Sequence, residues 1–266
     1  EMPRFDGKVA FVTAGATGIG LATARVLTEG GAQVMISALA DDEAKLDAAV
    51  DALGPSTHRV ICDVRKDDEV DAAVEATLER FGHLDLAFNC AGIGTYAAII
   101  DQSAEDFAEN FDTTLLGTYR CLRAEANAMA AHGGAIVNVS SIAASVTHPS
   151  MAGYCAAKAG INMLTRCAAD EFGELGIRVN AIMPGAIRTP MAHMLYDYEV
   201  SKQEFFRMMS IERIGEPEDV AKTAAFLLSD EASWVTGQII AVDGGITIGK
   251  GPDLRPLFRA MSQRGN

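Results

Sequence analysis

Residues 9–22 read VAFVTAGATGIGLA. Four apolar residues run straight into TAGATGIG, Thr13 to Gly20, and from there into an Ala-rich helical pattern. A β-branched run, a glycine-rich turn and a helix in direct succession form the opening of a βαβ unit. Glycines at such a turn let the backbone approach a pyrophosphate, which then rests on the free N–H groups of the helix N-terminus. Taken alone, the same glycines also suit a tight turn that needs positive φ. The rest of the chain must decide.

Outward from that stretch, short apolar runs alternate with longer helical patterns. Strands are expected over residues 9–13, 33–37, 59–63, 84–89, 135–139, 178–182 and 238–242, and helices near 18–30, 42–53, 67–81, 103–131, 152–173 and 217–229. Several strands are continuously apolar, as expected when helices cover both faces of a parallel sheet. The alternation predicts an α/β fold, a Rossmann-type doubly wound parallel sheet of about seven strands with helices on both faces. Ser103 followed by Asp106 suggests a capping box, and Pro217 suits a first helical turn. No linker or internal repeat divides the 266 residues, so one domain is expected over 1–266. Two segments stand outside the alternation: a Met-, Tyr- and Phe-rich connection over 185–212, and a basic tail over 250–266.

Composition excludes several classes of function. Basic residues number 22 and acidic ones 36, a net charge of −14, which disfavours nucleic acid and anionic membrane as partners. Hydrophobic residues make up 49%, far too many for a disordered chain. No apolar run reaches about 18 residues, and the first residues lack a signal-peptide pattern. Glu1 ahead of Met2 reads as a leftover of recombinant expression. The cysteines (Cys62, Cys90, Cys121, Cys155, Cys167) are odd in number and never spaced C-x-x-C, and the five histidines show no ligand spacing. Neither a disulfide framework nor a metal site is expected, and the expected compartment is the reducing cytoplasm.

A second constellation carries chemistry. Tyr154 and Lys158, in YCAAK, lie four apart and share a helix face, and Ser141 lies thirteen residues before the tyrosine. A free phenol titrates near pH 10, and an adjacent ammonium is expected to lower that value towards the working range of a general acid/base. A serine hydroxyl from the preceding loop can hydrogen-bond the reacting oxygen. Isolated, Tyr154 and Lys158 would be an ordinary amphipathic face. Placed after the fifth strand, with a dinucleotide turn at the start of the chain, they read as an acid/base site.

At this point the sequence resembles the classical short-chain dehydrogenase/reductase family, from about Gly7 to Thr247. The matching elements stand in family order: TAGATGIG, CDV at Cys62–Val64, NCAG at Asn89–Gly92, Ser141, YCAAK, PGAIRTPM from Pro184 and WVTGQIIAVDGG from Trp234. The resemblance implies hydride transfer between a nicotinamide and a secondary alcohol or ketone. Tyr154 would be the proton donor or acceptor, Lys158 would bind the nicotinamide ribose and tune Tyr154, and Ser141 would hold the substrate oxygen. Cofactor contacts are implied at Ala14, Ala16, Thr17, Gly18, Ile19 and Gly20, at Ala38, and at Asn89, Ala91 and Gly92. Asp63 and Val64 would meet the adenine, and Ile187 and Thr189 the carboxamide. The family also implies a homo-oligomer, a tetramer. Small residues Ala156, Ala159 and Gly160 leave other faces of the tyrosine helix open to close packing.

Three positions depart from the family pattern. Ala14 replaces the first glycine of the turn, which one methyl fits if φ there stays negative. Cys90 replaces the second Asn of N-N-A-G, so that side chain's bridging must come from elsewhere. Thr114 stands where the family has a catalytic Asn, and its hydroxyl is expected to keep an altered, water-assisted proton relay.

Other residues keep two readings. Asp41 and Asp42 are ribose-binding acids or, in the preferred reading, the start of the next helix. By spacing, the family's specificity acid falls on Ala38. Cys155 is read as a packed small hydrophobe. His148 lines the pocket or sits in a solvated loop. Met191 and its neighbours Met194, Leu195, Tyr196, Phe205, Phe206, Met208 and Met209 are helix packing or the wall of a bulky apolar substrate pocket. NAD is the expected cofactor, because Thr17, Ala38 and Leu39 offer no cation for a 2′-phosphate; NADP stays open. The competing functions are a non-catalytic dinucleotide sensor and a nucleotide-dependent methyltransferase. Neither has a use for the Ser–Tyr–Lys set.

Overall fold

The computed structural model describes residues 4–249, so the basic tail over 250–266 lies outside the described residues. In chain order the elements are β1 (Val9–Val12), α1 (Gly18–Glu29), β2 (Gln33–Ala38), α2 (Glu43–Leu53), β3 (Thr57–Ile61), α3 (Asp67–Phe81), β4 (Leu86–Asn89) and α4 (Ala104–Asn110). A π-helical segment, Phe111–Leu116, joins α4 to α5 (Gly117–Met129). There follow β5 (Gly134–Val139), α6 (Ala152–Phe172), β6 (Ile177–Pro184), α7 (His193–Asp197), α8 (Glu199–Met208), α9 (Pro217–Leu228) and β7 (Ile239–Val242).

The strands form one sheet in the order β3-β2-β1-β4-β5-β6-β7, and every neighbouring pair is parallel. The period-two alternation of a strand splits the apolar residues between two cores. Ala10, Val12, Val34 and Ile36 pack under α1, α2 and α9; Val9, Phe11 and Met35 pack under α3, α5 and α6. This is the doubly wound α/β sheet expected from the alternation. Its strand order reverses between β1 and β4. The crossovers leave in opposite directions there and open a crevice at the strands' C-terminal ends.

Differences from expectation are local. The third strand sits two residues earlier than expected, where Thr57 pairs with Val34 of β2. The long helix over 103–131 is interrupted by the π-helical turn. Within 185–212, read as a connection, α7 and α8 form; charged Glu199, Lys202, Glu204 and Arg207 mask the helical spacing in the sequence. The expected caps are present in part or in full. Ser103 Oγ accepts from the Asp106 N–H at 3.0 Å, and Glu216 and Asp219 cap α9 reciprocally around Pro217.

Candidate active site

The glycine turn occupies the crevice between β1 and β4. The Gly15 N–H donates to the Ser37 carbonyl at 2.9 Å, and a Cβ on Gly15 would meet the Ile36 side chain at 2.7 Å. A Cβ on Gly20 would collide with the Ala14 carbonyl oxygen. Ala14 itself has φ +51°, which corrects the expectation of a negative value. The turn demands the left-handed conformation whichever side chain it carries. The N-terminus of α1 is open: Thr17 makes no side-chain cap and no acid lies in the first turn. By contrast, α2, α3 and α9 each place acids there. A helix end with no side-chain cap, no carboxylate and backbone-tight glycines fits a pyrophosphate.

The bridging lost at Cys90 is recovered from β1. Thr13 Oγ1 accepts from the Cys90 N–H at 2.9 Å and the Ala91 N–H at 3.2 Å. Asn89 reaches across the sheet, donating to Glu125 Oε2 at 2.9 Å and Asn138 Oδ1 at 3.1 Å, and Asn138 donates to Thr165 Oγ1 at 3.0 Å. This buried chain ties β4 and β5 to α5 and α6 directly beneath the crevice.

Ser141, Tyr154 and Lys158 face one cavity of about 220 Å³. Ser141 Oγ accepts from the Ala143 N–H at 3.1 Å, and the Ser141 hydroxyl also hydrogen-bonds the Tyr154 phenol. The Lys158 ammonium donates to the Val139 carbonyl at 2.7 Å and lies 5.7 Å from the centroid of the Tyr154 ring. Burial pushes the Tyr154 phenol up to about 12, with a Ser141 hydrogen bond pulling the other way, and burial pulls Lys158 down to about 8. The expected lowering of Tyr154 by the lysine is therefore reversed. In a site of low dielectric, desolvation of the phenolate outweighs an ammonium that is held by a backbone carbonyl.

The same cavity is lined by Ala14, Thr17, Gly18 and Ile19 from the turn, by Gly92, and by Ile187, Thr189 and Met191. Ala16, Gly20, Ala38, Asp63, Val64, Asn89, Ala91 and Thr114 do not line it. Ala16 and Ala38 belong to the core, and the Asp63 carboxylate is engaged by Arg65 at 2.7 Å. Thr114 is buried, and its hydroxyl is committed to the backbone of Ile93, donating to the carbonyl at 3.2 Å and accepting from the N–H at 3.1 Å. Thr114 thus anchors the loop after β4. Asn110 holds the same loop, accepting from the Thr95 N–H at 3.3 Å and donating to Thr95 Oγ1 at 2.7 Å. Asp42 leads into α2 and pairs with Lys45 at 2.5 Å, as its helix-start reading expects. From the Met-rich stretch, Met191 and Phe205 line the cavity, while Met209 is core.

Sequence reasoning missed Glu125, Asn138, Thr165, Asn110 and the cavity residues Tyr96 and Met151. A Glu on the otherwise mostly apolar buried face of α5 was the one signal available, and it becomes visible only when the helix phase is known.

The fold is a Rossmann-like doubly wound sheet with a cavity at its switch point, and comparison with known proteins places it in a family. The profile of the family described as enoyl-(acyl carrier protein) reductase matches residues 13–247. The chain is 39% identical over 250 residues to 2,5-dichloro-2,5-cyclohexadiene-1,4-diol dehydrogenase of Sphingobium indicum, covering 92% of this chain and 99% of that protein. It is 38% identical over 247 residues to cyclohexanol dehydrogenase of an Acinetobacter species, covering 92% and 96%. It is 37% identical over 242 residues to the 3-oxoacyl-[acyl-carrier-protein] reductase FabG of Chlamydia muridarum, covering 90% and 97%. A solved short-chain dehydrogenase/reductase from Mycobacterium ulcerans superposes with TM-score 0.89 at 36% identity, covering 98% of both chains. The chain belongs to the classical short-chain dehydrogenase/reductase family. That family uses nicotinamide cofactors and acts on small molecules of the alcohol and ketone type. None of the described helices is long and apolar enough to cross a membrane.

Proposed function

We propose that the chain is an NAD-dependent oxidoreductase that interconverts a secondary alcohol and its ketone on a compact, apolar, cyclic substrate. The observation that carries this reading is the convergence of Ser141, Tyr154 and Lys158 with the glycine turn on one cavity. The walls around Ser141 and Tyr154 are largely apolar, with Ile142, Ala143, Met151, Met191 and Phe205 among them. Two of the relatives are named for alcohols of a six-membered ring, which supports a cyclic substrate. A non-catalytic sensor would have no use for the buried phenol and ammonium.

A nicotinamide held in this cavity would supply or accept the hydride. Ser141 orients the substrate oxygen through its hydroxyl, which stands beside the Tyr154 phenol. Tyr154, protonated at neutral pH, gives its proton to that oxygen during reduction and takes it back during oxidation. Lys158 has spent one of its three N–H donors on Val139, which leaves two for ribose hydroxyls and for the phenol. The turn over residues 14–20 and the N-terminus of α1 would hold the cofactor's pyrophosphate.

The preference for NAD rests on the charges around the end of β2. Ala38 and Leu39 offer no cation, Asp41 and Asp42 stand next in the chain, and nearby Arg59 is already paired with Glu43 and Asp47. A 2′-phosphate would meet net negative charge there. The test follows nicotinamide absorbance with cyclohexanol and related ring alcohols, using both cofactors. Turnover with NAD is expected, and about a tenfold advantage in kcat/KM for NADP would overturn the cofactor assignment. Tyr154→Phe is expected to lower kcat by about 10²–10⁴-fold with cofactor binding nearly intact. If it kept a third of wild-type activity, Tyr154 would not be the acid/base.

A further inference from the structure

The loop between β5 and α6 carries one imidazole to the cavity. His148 lies between Ser141 and Tyr154 in the chain and lines the same cavity as both. Its ring is fixed, because Nδ1 lies 2.8 Å from the Val146 carbonyl oxygen. A carbonyl only accepts, so Nδ1 carries the hydrogen, and Nε2 of the neutral ring is left as an acceptor. Among the described residues, no donor meets Nε2. The backbone around it is equally held: the Met151 N–H donates to the His148 carbonyl at 3.2 Å, and the Ala97 N–H to that of Ser150 at 2.9 Å. The half-buried imidazole is thus oriented by its own loop, with Nε2 as its acceptor.

Ile142, Ala143, Met151, Met191 and Phe205 make the surrounding wall mostly apolar. A ligand that fills such a cavity strips water from every polar group it covers. An acceptor left without a donor then costs binding energy, whereas a ligand hydroxyl at that point restores the bond. Ser141 and Tyr154 already take the reacting oxygen. The donor for His148 must therefore be a second group on the same molecule.

We propose that His148 determines specificity by accepting a hydrogen bond from a second hydroxyl, so that the substrate class is a cyclic diol or hydroxyketone and not a plain cyclic alcohol. The proposal rests on the dehydrogenase reading above. It is tested with cyclohexanol and the 1,2-, 1,3- and 1,4-cyclohexanediols in two measurements. One is kcat/KM with NAD; the other is calorimetric binding to the NAD-loaded Tyr154→Phe protein, which does not depend on turnover. At least one diol isomer is expected to beat cyclohexanol by about tenfold or more in both. His148→Leu, with His148→Phe as a second apolar replacement, is expected to bring that ratio close to one. His148→Gln, which keeps an acceptor, should restore part of it. Equal use of diols and cyclohexanol by the wild-type protein, or an undiminished diol preference in His148→Leu, would overturn the proposal. A binding preference that depends on His148 without any turnover would support it while removing the dehydrogenase reading. Turnover without diol preference would do the reverse.

Discussion

Ala14 shows how one residue can be named by a sequence and yet misjudged by it. The departure from glycine is plain in TAGATGIG, but φ is a property of the turn, and the structure sets it at +51°. An L-residue in this conformation carries about 1–2 kcal/mol of strain, partly offset by the greater chain entropy of glycine when unfolded. Ala14→Gly is therefore expected to stabilise the protein by about 1 kcal/mol, or about 2–4 °C in Tm for a chain of this size. Thermal unfolding checks it; an unchanged or lower Tm would mean that the methyl makes packing contacts worth as much as the strain. Tyr154 teaches the same lesson in electrostatics. Its identity and its partner four residues on were readable, but its proton affinity belongs to the cavity. With the phenol pushed up to about 12, ketone reduction should stay near its maximum between about pH 6 and 7, where the proton to be given is in place and Lys158, pulled down to about 8, keeps its charge. Alcohol oxidation needs the phenolate and should rise with pH above about 8. Opposed pH–rate profiles for the two directions are the expected result, and a flat oxidation profile from pH 6 to 10 would contradict it.

At the scale of elements, the strands and most helices were visible because their periodicities are strong. What packs against what was not. Helix α5 reads as a polar, Ala-rich helix, yet it drives Glu125 into the sheet, fully buried, where it accepts one hydrogen bond from Asn89 and leaves Oε1 without a partner. Burial pushes this carboxyl up to about 8, so it is uncharged at neutral pH. In the unfolded chain it titrates near 4.5. Between those values the folded state keeps a proton that the unfolded state has released. The stability this group contributes is complete below about pH 4.5 and is lost as pH rises through about 8. Glu125→Gln removes the titration, so its stability relative to wild type should grow on the order of 1 kcal/mol per pH unit between about pH 5 and 8. Urea unfolding at several pH values measures this, and a difference constant with pH would show that Glu125 is charged in the folded protein. The π-helical turn was equally hidden. Residues 103–131 carry a continuous helical pattern, and only the hydroxyl of Thr114 bonding both ways to Ile93 shows that this turn serves the loop after β4.

For the whole molecule, the alternation of strands and helices was enough for a parallel sheet, and the reversal of strand order at β1 and β4 then sets where the cavity must open. The surface is harder to read from a linear pattern, because residues far apart in sequence form it together. Helix α6 turns Tyr154 and Lys158 inward and exposes Ala156, Ala159, Met163 and Cys167, a stripe with helical spacing. Leu116 and Tyr119 stand exposed at the start of the neighbouring α5. Gly160, read from the sequence as part of the open face, instead packs against Leu115, where a Cβ would meet that side chain at 2.7 Å. An apolar stripe on a helix that holds two site residues favours self-association, since a second copy would cover Met163 and stiffen the site at once. A homo-oligomer is therefore expected at micromolar concentration, with light scattering well above the 28.1 kDa of one chain. Met163→Glu places a charge in the middle of the stripe and should shift the protein to a smaller species, with lower Tm and lower activity but an unchanged cofactor preference. A wild-type protein that scatters as a single chain would remove the assembly claim. A Met163→Glu protein that assembles as wild type does would move the interface to another face.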